Sequence, residues 1–238
     1  MNIRICRRRF LGWLTLATAG FFIAGIVVEI IAGRRQSHGW LALFDLDKEW
    51  NFPTFYSALL LLLAAAALSC IAAECRASRS GDFRNWFALA VLFCFLGFDE
   101  LFSFHNSAKH LVPLWFKHIQ LFNLRWDLRW IVIAVPAAVL IGLLFVPFVL
   151  RLPRRTACGI IIAGIIYFGS AVGLEIVGGW WIGKHGKRNW TYATEAVVEE
   201  TLEMVGALMF VGVLLAYIER TLGGRARLGS LQFEIEKV

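Results

Sequence analysis

Long apolar runs alternate with short polar segments along almost the whole chain. Five runs are uninterrupted and a sixth contains acidic residues, and each is close to the roughly 20 residues that a helix needs to cross a bilayer. The runs cover residues 10–33, 55–73, 86–104, 130–150, 157–182 and 193–218. They occupy more than half of the chain, so no separate soluble domain is left over. The pattern predicts an all-α integral membrane protein, with one polytopic domain over residues 1–238 and about six transmembrane helices.

The composition agrees with a membrane protein. Hydrophobic residues make up 59% of the chain and charged residues 17%, and the mean hydropathy is +0.67. A soluble domain carries about a quarter charged residues. The net charge of +7 would also suit nucleic acid, but the basic residues lie mostly in short turns between apolar runs. That placement is the positive-inside pattern of membrane proteins, so the expected partners are membrane lipids and not nucleic acid.

The basic residues also predict an orientation. With the N-terminus in the cytoplasm, 14 Lys and Arg residues fall on the cytoplasmic side and 10 on the other side. This margin favours cytoplasmic N- and C-termini, and the expected location is a bacterial inner membrane. The arginines at residues 7–9 resemble a twin-arginine export signal. However, the apolar run continues to Ile31, which predicts an uncleaved first helix.

Two connections on the outer side mix aromatic and charged residues. One is 39–54 and the other is 114–129, where aromatic and apolar residues recur at helical spacing. Both are typical of amphipathic segments that lie in the membrane interface. A loop packed over the helix bundle explains them nearly as well. Within the bundle, small residues at Gly169 and Gly173 on the fifth helix and at Gly212 and Ala216 on the sixth permit close approach of helix backbones.

Acidic residues gather at one depth of the predicted bundle. With a rise of about 1.5 Å per residue, carboxylates on the third, fifth and sixth helices lie roughly 20–28 Å from the cytoplasmic edge. Glu29 on the first helix reaches a similar depth, and it is as easily explained by contact with solvent, as is Glu195. The residues of the layer are Asp99, Glu100, His105, Glu175, Glu199, Glu200 and Glu203. The topology therefore predicts a polar site in the outer third of the bilayer.

The energy of burial limits what these acids do. A charged residue at the centre of a spanning helix costs on the order of 2.5–3.5 kcal/mol. The acids therefore bind a cation, pair with basic residues or hold protons. On the sixth helix Glu195, Glu199 and Glu203 share one face, whereas Glu200 points about 100° away. An ion-pair network is the structural alternative, with the candidate partners Arg125, Arg129, Lys184 and Arg188.

The residue types favour a metal-dependent membrane enzyme. Carboxylates with one imidazole suit iron, manganese or zinc, and the expected ligands are Glu100, His105, Glu175, Glu199 and Glu203. Asp99 and Glu200 are the candidate catalytic acid or base. The interfacial segments nearby would receive a lipid-like or amphipathic substrate. No HExxH motif, no Glu-x-x-His motif and no GxSxG nucleophile motif supports a particular reaction.

Two other functional classes remain open. Clustered acids are natural in a proton- or cation-coupled transporter or channel. Transporter sites, however, usually lie near the midplane between inverted repeats, and this layer is off-centre. The other class is a non-catalytic subunit or assembly factor whose acids pair with basic residues of partner membrane subunits.

Overall fold

A computed structural model describes residues 2–32, 37–104, 131–187, 189–228 and 231–236. Seven α-helices are present in this part of the chain. They are α1 (Arg7–Ala32), α2 (Phe52–Ala77), α3 (Phe83–Phe102), α4 (Ile131–Val149), α5 (Arg154–Phe168), α6 (Glu175–His185) and α7 (Trp190–Thr221). Three short strands lie before and after the helices in sequence. β1 (Asn2–Cys6) precedes α1, and β2 (Arg225–Leu228) and β3 (Leu231–Glu236) follow α7.

Helices of spanning length dominate the fold. Among the described residues, five helical stretches are long and apolar enough to cross a membrane: α1, α2, α3, the continuous stretch Arg154–His185, and α7. A sixth apolar helix, α4, is shorter. The prediction of a largely helical chain with several helices of spanning length is confirmed. The number of spans, their orientation and insertion into a membrane stay predictions, and the segment 114–129 lies outside the described residues.

Helices α2 and α7 form the centre of the bundle. α2 packs most extensively against α3, and α7 packs against α1, α2 and α5. At the end of the bundle that carries the chain termini, Trp86 of α3 is fully buried. Its ring meets Phe148 of α4 edge-on at 4.9 Å and Tyr217 of α7 at 5.1 Å between centroids. This aromatic cluster joins three helices and closes that end of the bundle.

Glycines allow close helix contacts, but not at both of the expected pairs. A Cβ atom at Gly212 would lie 3.6 Å from the Leu11 side chain of α1, in ordinary contact. A Cβ atom at Gly206 of α7 would lie 2.8 Å from the backbone nitrogen of Tyr167, and one at Gly97 of α3 would lie 2.9 Å from the Leu62 side chain. A Cβ atom at Gly169 or Gly173 would instead meet no other heavy atom within 4 Å. Their four-residue spacing, which predicted a helix contact, therefore does not mark one among the described residues.

The predicted fifth helix contains a π-helical turn. Residues Gly169–Leu174 form this turn between α5 and α6. The buried Ser170 hydroxyl donates to the carbonyl oxygens of Ile166 at 2.7 Å and Tyr167 at 2.9 Å. Such turns add a residue to the helix and rotate the residues that follow, and they are frequent at functional sites. Here Glu175 comes directly after the turn.

The three short strands were not expected in an all-α chain. They form one sheet of order β1-β3-β2, with β1 parallel and β2 antiparallel to β3. The sequence Leu-Gln-Phe-Glu-Ile-Glu of β3 alternates apolar and polar residues, which suits a strand with two different faces. The Arg4 and Glu234 side chains pair across the sheet at 3.3 Å. The sheet therefore holds both chain ends at the same end of the bundle.

The connection 39–54 is folded onto the bundle. A 3₁₀ helix at Gly39–Leu43 is followed by Leu46, which is buried beside Gly25 of α1. The buried Asp45 carboxylate accepts a hydrogen bond from the Ser37 hydroxyl. Asn51 donates to the Asp45 carbonyl at 2.6 Å and caps α2 by accepting from the Thr54 amide at 3.0 Å. Of the two interpretations of this segment, these contacts favour the packed loop.

We predict that Trp86→Ala destabilises the protein strongly, because it removes a large buried ring from the aromatic cluster. Loss of a buried tryptophan costs about 3–5 kcal/mol, which for a chain of this size corresponds to roughly 6–20 °C in melting temperature. Thermal unfolding of the purified protein in one detergent measures the change. Trp13→Ala is the matched control, since Trp13 is 72% exposed. An equal effect of the two substitutions would contradict the assignment of this cluster to the core.

Candidate functional site

A large cavity lies among α3, α4, α5, α6 and α7. Its volume is about 1320 Å³, and it extends along most of the length of α4, from Ile133 to Leu150. At the helical rise this length is roughly 25 Å. One end is lined by acidic residues and the remainder mainly by aliphatic and aromatic side chains. The cavity therefore offers two chemically different environments to one elongated molecule.

The acidic end collects carboxylates from four parts of the chain. They come from the connection before α2, the C-terminal part of α3, the start of α6 and the first half of α7. The acidic lining residues are Asp47, Glu49, Asp99, Glu100, Glu175, Glu195, Glu199, Glu200 and Glu203. All six acids predicted from the sequence as ligands or catalytic groups line this one cavity. Their roles stay predictions, and His105 lies outside the described residues.

Helix α7 supplies the largest share of the acids. Asn189 starts the helix by accepting a hydrogen bond from the Tyr192 amide at 2.9 Å. Glu195, Glu199 and Glu203 follow at four-residue intervals, and all three line the cavity as half-buried side chains. Neighbouring carboxylates repel one another, and a proton or a cation between them relieves the repulsion.

A glycine of α6 makes room for one of these carboxylates. A Cβ atom at Gly178 would lie 2.7 Å from Oε1 of Glu195. That Oε1 atom is enclosed and has no hydrogen-bond partner in the part of the chain that the structure describes. Gly178 thus lets the Glu195 carboxylate pack against the helix backbone, on the wall of the cavity.

The loop before α2 closes the acidic end. The Tyr192 hydroxyl of α7 donates to the Asp47 carboxylate, and Lys48 donates from Nζ to the Ser37 carbonyl at 2.5 Å. Asp47 keeps contact with solvent at the rim, but burial of its carboxyl among neighbouring groups raises its pKa. The nearby Lys187 and the Tyr192 hydrogen bond oppose that increase in pKa. The loop therefore belongs to the site and not only to the surface.

Sequence reasoning missed several residues of this site. Asp47 and Glu49 are not part of the predicted acidic layer, yet both line the cavity beside Lys48, Lys187 and Tyr192. The only signal was the run Asp-Leu-Asp-Lys-Glu after an aromatic segment. Glu29, which reaches a similar depth on α1, does not line the cavity. The expected ion-pair partner Lys184 lies over the Trp180 ring at 3.9 Å.

The rest of the cavity is apolar. Its walls come from α3, α4 and α5, for example from Leu92, Leu143 and Ile160. α4 forms one wall, and no other described helix contacts it extensively. The cavity ends near Leu89 and Val149, one turn from the Trp86 cluster. This part suits a hydrocarbon chain and offers no partner for a polar group.

The described residues do not form a ready metal site. Among them, no group of three or more His, Cys, Asp or Glu side chains is arranged to hold a metal ion. The expected ligand set included His105, which the structure does not describe. The metal therefore stays a prediction.

We predict that Gly178→Ala displaces the Glu195 carboxylate without unfolding the protein. The atoms that the new methyl group would meet are the carboxylate atoms of Glu195, at the end of a flexible side chain. Alanine is favoured over glycine in a helix by about 0.8–1.0 kcal/mol, or roughly 2–4 °C here. Gly183→Ala in the same helix meets nothing within 4 Å and should gain that full amount in a thermal unfolding experiment. Gly178→Ala should gain less or lose stability, and an equal gain would show that Glu195 does not occupy this position.

Comparison with known families gives one match. The model of a family described as "Domain of unknown function (DUF8692)" matches residues 14–218. No curated protein and no solved structure matches the chain. The matched region runs from α1 to the end of α7 and includes every acidic residue of the cavity, and it covers most of the chain. The chain therefore belongs to the DUF8692 family.

Proposed function

We propose that this chain is an integral membrane protein whose cavity binds an amphipathic, lipid-like molecule. The observation that carries the proposal is the division of one cavity into a long apolar part and an acidic end. An apolar chain lies between α3, α4 and α5, and the polar end of the molecule reaches the carboxylates of α7. A lateral entrance beside α4, which no other described helix contacts extensively, would admit a molecule that arrives from the membrane.

Charge supports a cation at the acidic end. Nine acidic residues line the described part of the cavity, whereas the basic lining residues there are Lys48 and Lys187. Carboxylates in an apolar surrounding need a positive partner or a proton. The cation is a divalent metal, iron, manganese or zinc, or a basic group of the bound molecule itself.

A metal with an open coordination position here would support an enzymatic reaction. Glu100, Glu175, Glu199 and Glu203 would hold it together with His105, and Asp99 and Glu200 would transfer protons beside it. A metal ion polarises a bound oxygen or lowers the pKa of a bound water. With the termini in the cytoplasm, the reaction would take place near the outer face of a bacterial inner membrane.

A proton- or cation-coupled transporter would use the same acids. The apolar length of the cavity and the packed rings of Trp86, Phe148 and Tyr217 lie between the acidic end and the termini. They separate the acids from the other side of the bundle, and this favours a binding or catalytic site over a path for ions.

Filling the apolar part of the cavity tests lipid binding. Gly164 of α5 lines the cavity and meets nothing within 4 Å, so Gly164→Phe should project a ring into it. We expect about tenfold weaker binding of added phosphatidylethanolamine, measured by native mass spectrometry, because overpacking costs about 1–3 kcal/mol. Gly20→Phe on α1 is the control, since Gly20 also faces open space and does not line the cavity. Equal binding by the wild type and both variants would contradict a lipid site in the cavity.

Metal analysis tests the acidic end independently. We expect one divalent ion per wild-type chain, and a metal affinity at least about tenfold lower after Glu199→Gln combined with Glu203→Gln, because charged ligands are lost. The control combines Glu29→Gln with Glu74→Gln, which removes the same charge outside the cavity. Absence of stoichiometric metal from the wild-type protein would contradict the metal proposal. The lipid proposal would then be tested separately by Gly164→Phe.

A further inference from the structure

A second groove lies at the opposite end of the bundle, where the chain termini meet. Its volume is about 540 Å³, within the usual range of small-molecule sites of roughly 300–1,000 Å³. α1, α5 and α7 form its walls. The lining residues are Arg7, Arg8, Leu11, Arg155, Thr156, Met209, Gly212, Val213, Ala216 and Arg220. None of them belongs to the acidic cavity.

Four arginines give this groove a strong positive charge. Arg7 pairs with Glu219 at 3.1 Å from Nε to Oε2. Arg8, Arg155 and Arg220 are exposed, and none of the ion pairs between described side chains involves them. Glu219 therefore offsets one of the four charges, and no described side chain neutralises the other three.

Two helix N-termini add to this charge. α1 begins at Arg7 and α5 begins at Arg154, so Arg8 and Arg155 each lie in the first turn of a helix. The first turn of a helix presents free backbone N–H groups and the positive end of the helix dipole. Phosphate groups favour this environment.

The floor of the groove is apolar and shallow. Gly212 and Ala216 leave a depression on α7, and Leu11 of α1 forms one side, with its methyl groups 3.6 and 3.8 Å from a Cβ at Gly212. The α7 residues that line this floor, Met209, Gly212, Val213 and Ala216, follow one another along one side of the helix. A charged rim at the helix ends and an apolar floor beneath it match the head and chain of a phospholipid.

We propose that this groove binds an anionic phospholipid, with its phosphate against Arg8, Arg155 and Arg220 and one acyl chain along Gly212 and Ala216. Basic pockets between spanning helices recognise acidic lipid headgroups in this manner. The proposal requires that the chain spans a membrane and is independent of the cavity and its metal. A soluble phosphate shares the headgroup chemistry but does not use the apolar floor.

Arginines inside and outside the groove provide a matched test. Arg8→Gln combined with Arg155→Gln removes two groove arginines. Arg9→Gln combined with Arg154→Gln removes two exposed arginines from the same helix turns that do not line the groove. Binding of phosphatidylglycerol and phosphatidylcholine to the detergent-purified full chain is measured by native mass spectrometry. We expect about thirtyfold weaker phosphatidylglycerol binding for the groove variant and less than about threefold for the control.

Two further arms separate a lipid from a free anion. Gly212→Leu fills the apolar floor without a change in charge and should weaken phosphatidylglycerol binding about tenfold. Millimolar inorganic phosphate should not displace the lipid. Displacement by phosphate together with normal lipid binding by Gly212→Leu would overturn the lipid assignment in favour of a soluble phosphate. Equal losses in the two double arginine variants, or no preference for phosphatidylglycerol over phosphatidylcholine, would overturn the site itself.

Discussion

The burial of carboxylates among apolar helices is the constraint on which the structure depends. A carboxylate without a partner is costly in an apolar medium, yet α7 carries Glu195, Glu199, Glu200 and Glu203 within its first half. The second half of the same helix is apolar and packs tightly, with Gly206 against the backbone of Tyr167. α7 is therefore anchored by its apolar half, and the other elements shield its acidic half. α3, α6 and the loop that contains Asp47 surround these acids and contribute five more.

The gathering of these acids at one cavity was predictable because it depends on one fixed quantity. Every α-helix rises about 1.5 Å per residue, so the predicted spans were sufficient to place Glu100, Glu175 and Glu199 at one level. The direction in which a side chain points is harder to predict, since it depends on how neighbouring helices rotate and pack. Glu29 illustrates this limit: it has a suitable depth on α1 but lies outside the cavity. Asp47 shows the converse, because a loop residue joins the site through a hydrogen bond with Tyr192.

Three features depended on contacts that a sequence pattern does not specify. The spacing of Gly169 and Gly173 suggested a helix contact, but the close approaches occur at Gly206 and Gly97, where a partner helix happens to pass. The π turn depends on Ser170, whose hydroxyl competes for two helix carbonyls. The strands are short, and β3 is stable only because β1 and β2 from both ends of the chain pair with it. The helices were predictable from local hydrophobicity, whereas these features require long-range packing.

The opposite charges at the two ends of the bundle explain why the net charge of +7 is a poor guide to this protein. The acidic residues concentrate in the cavity, and arginines concentrate where α1 and α5 begin and α7 ends. A lipid phosphate at the arginine groove and a cation at the acidic cavity are therefore compatible in one molecule, since roughly 25–32 Å of α7 separates Glu203 and Glu199 from Arg220. α7 contributes to both sites, through Glu199 and Glu203 near one end and Arg220 near the other. Because Gly212 and Ala216 lie on its apolar half, a lipid in the groove would pack against the part of α7 that anchors the acidic half.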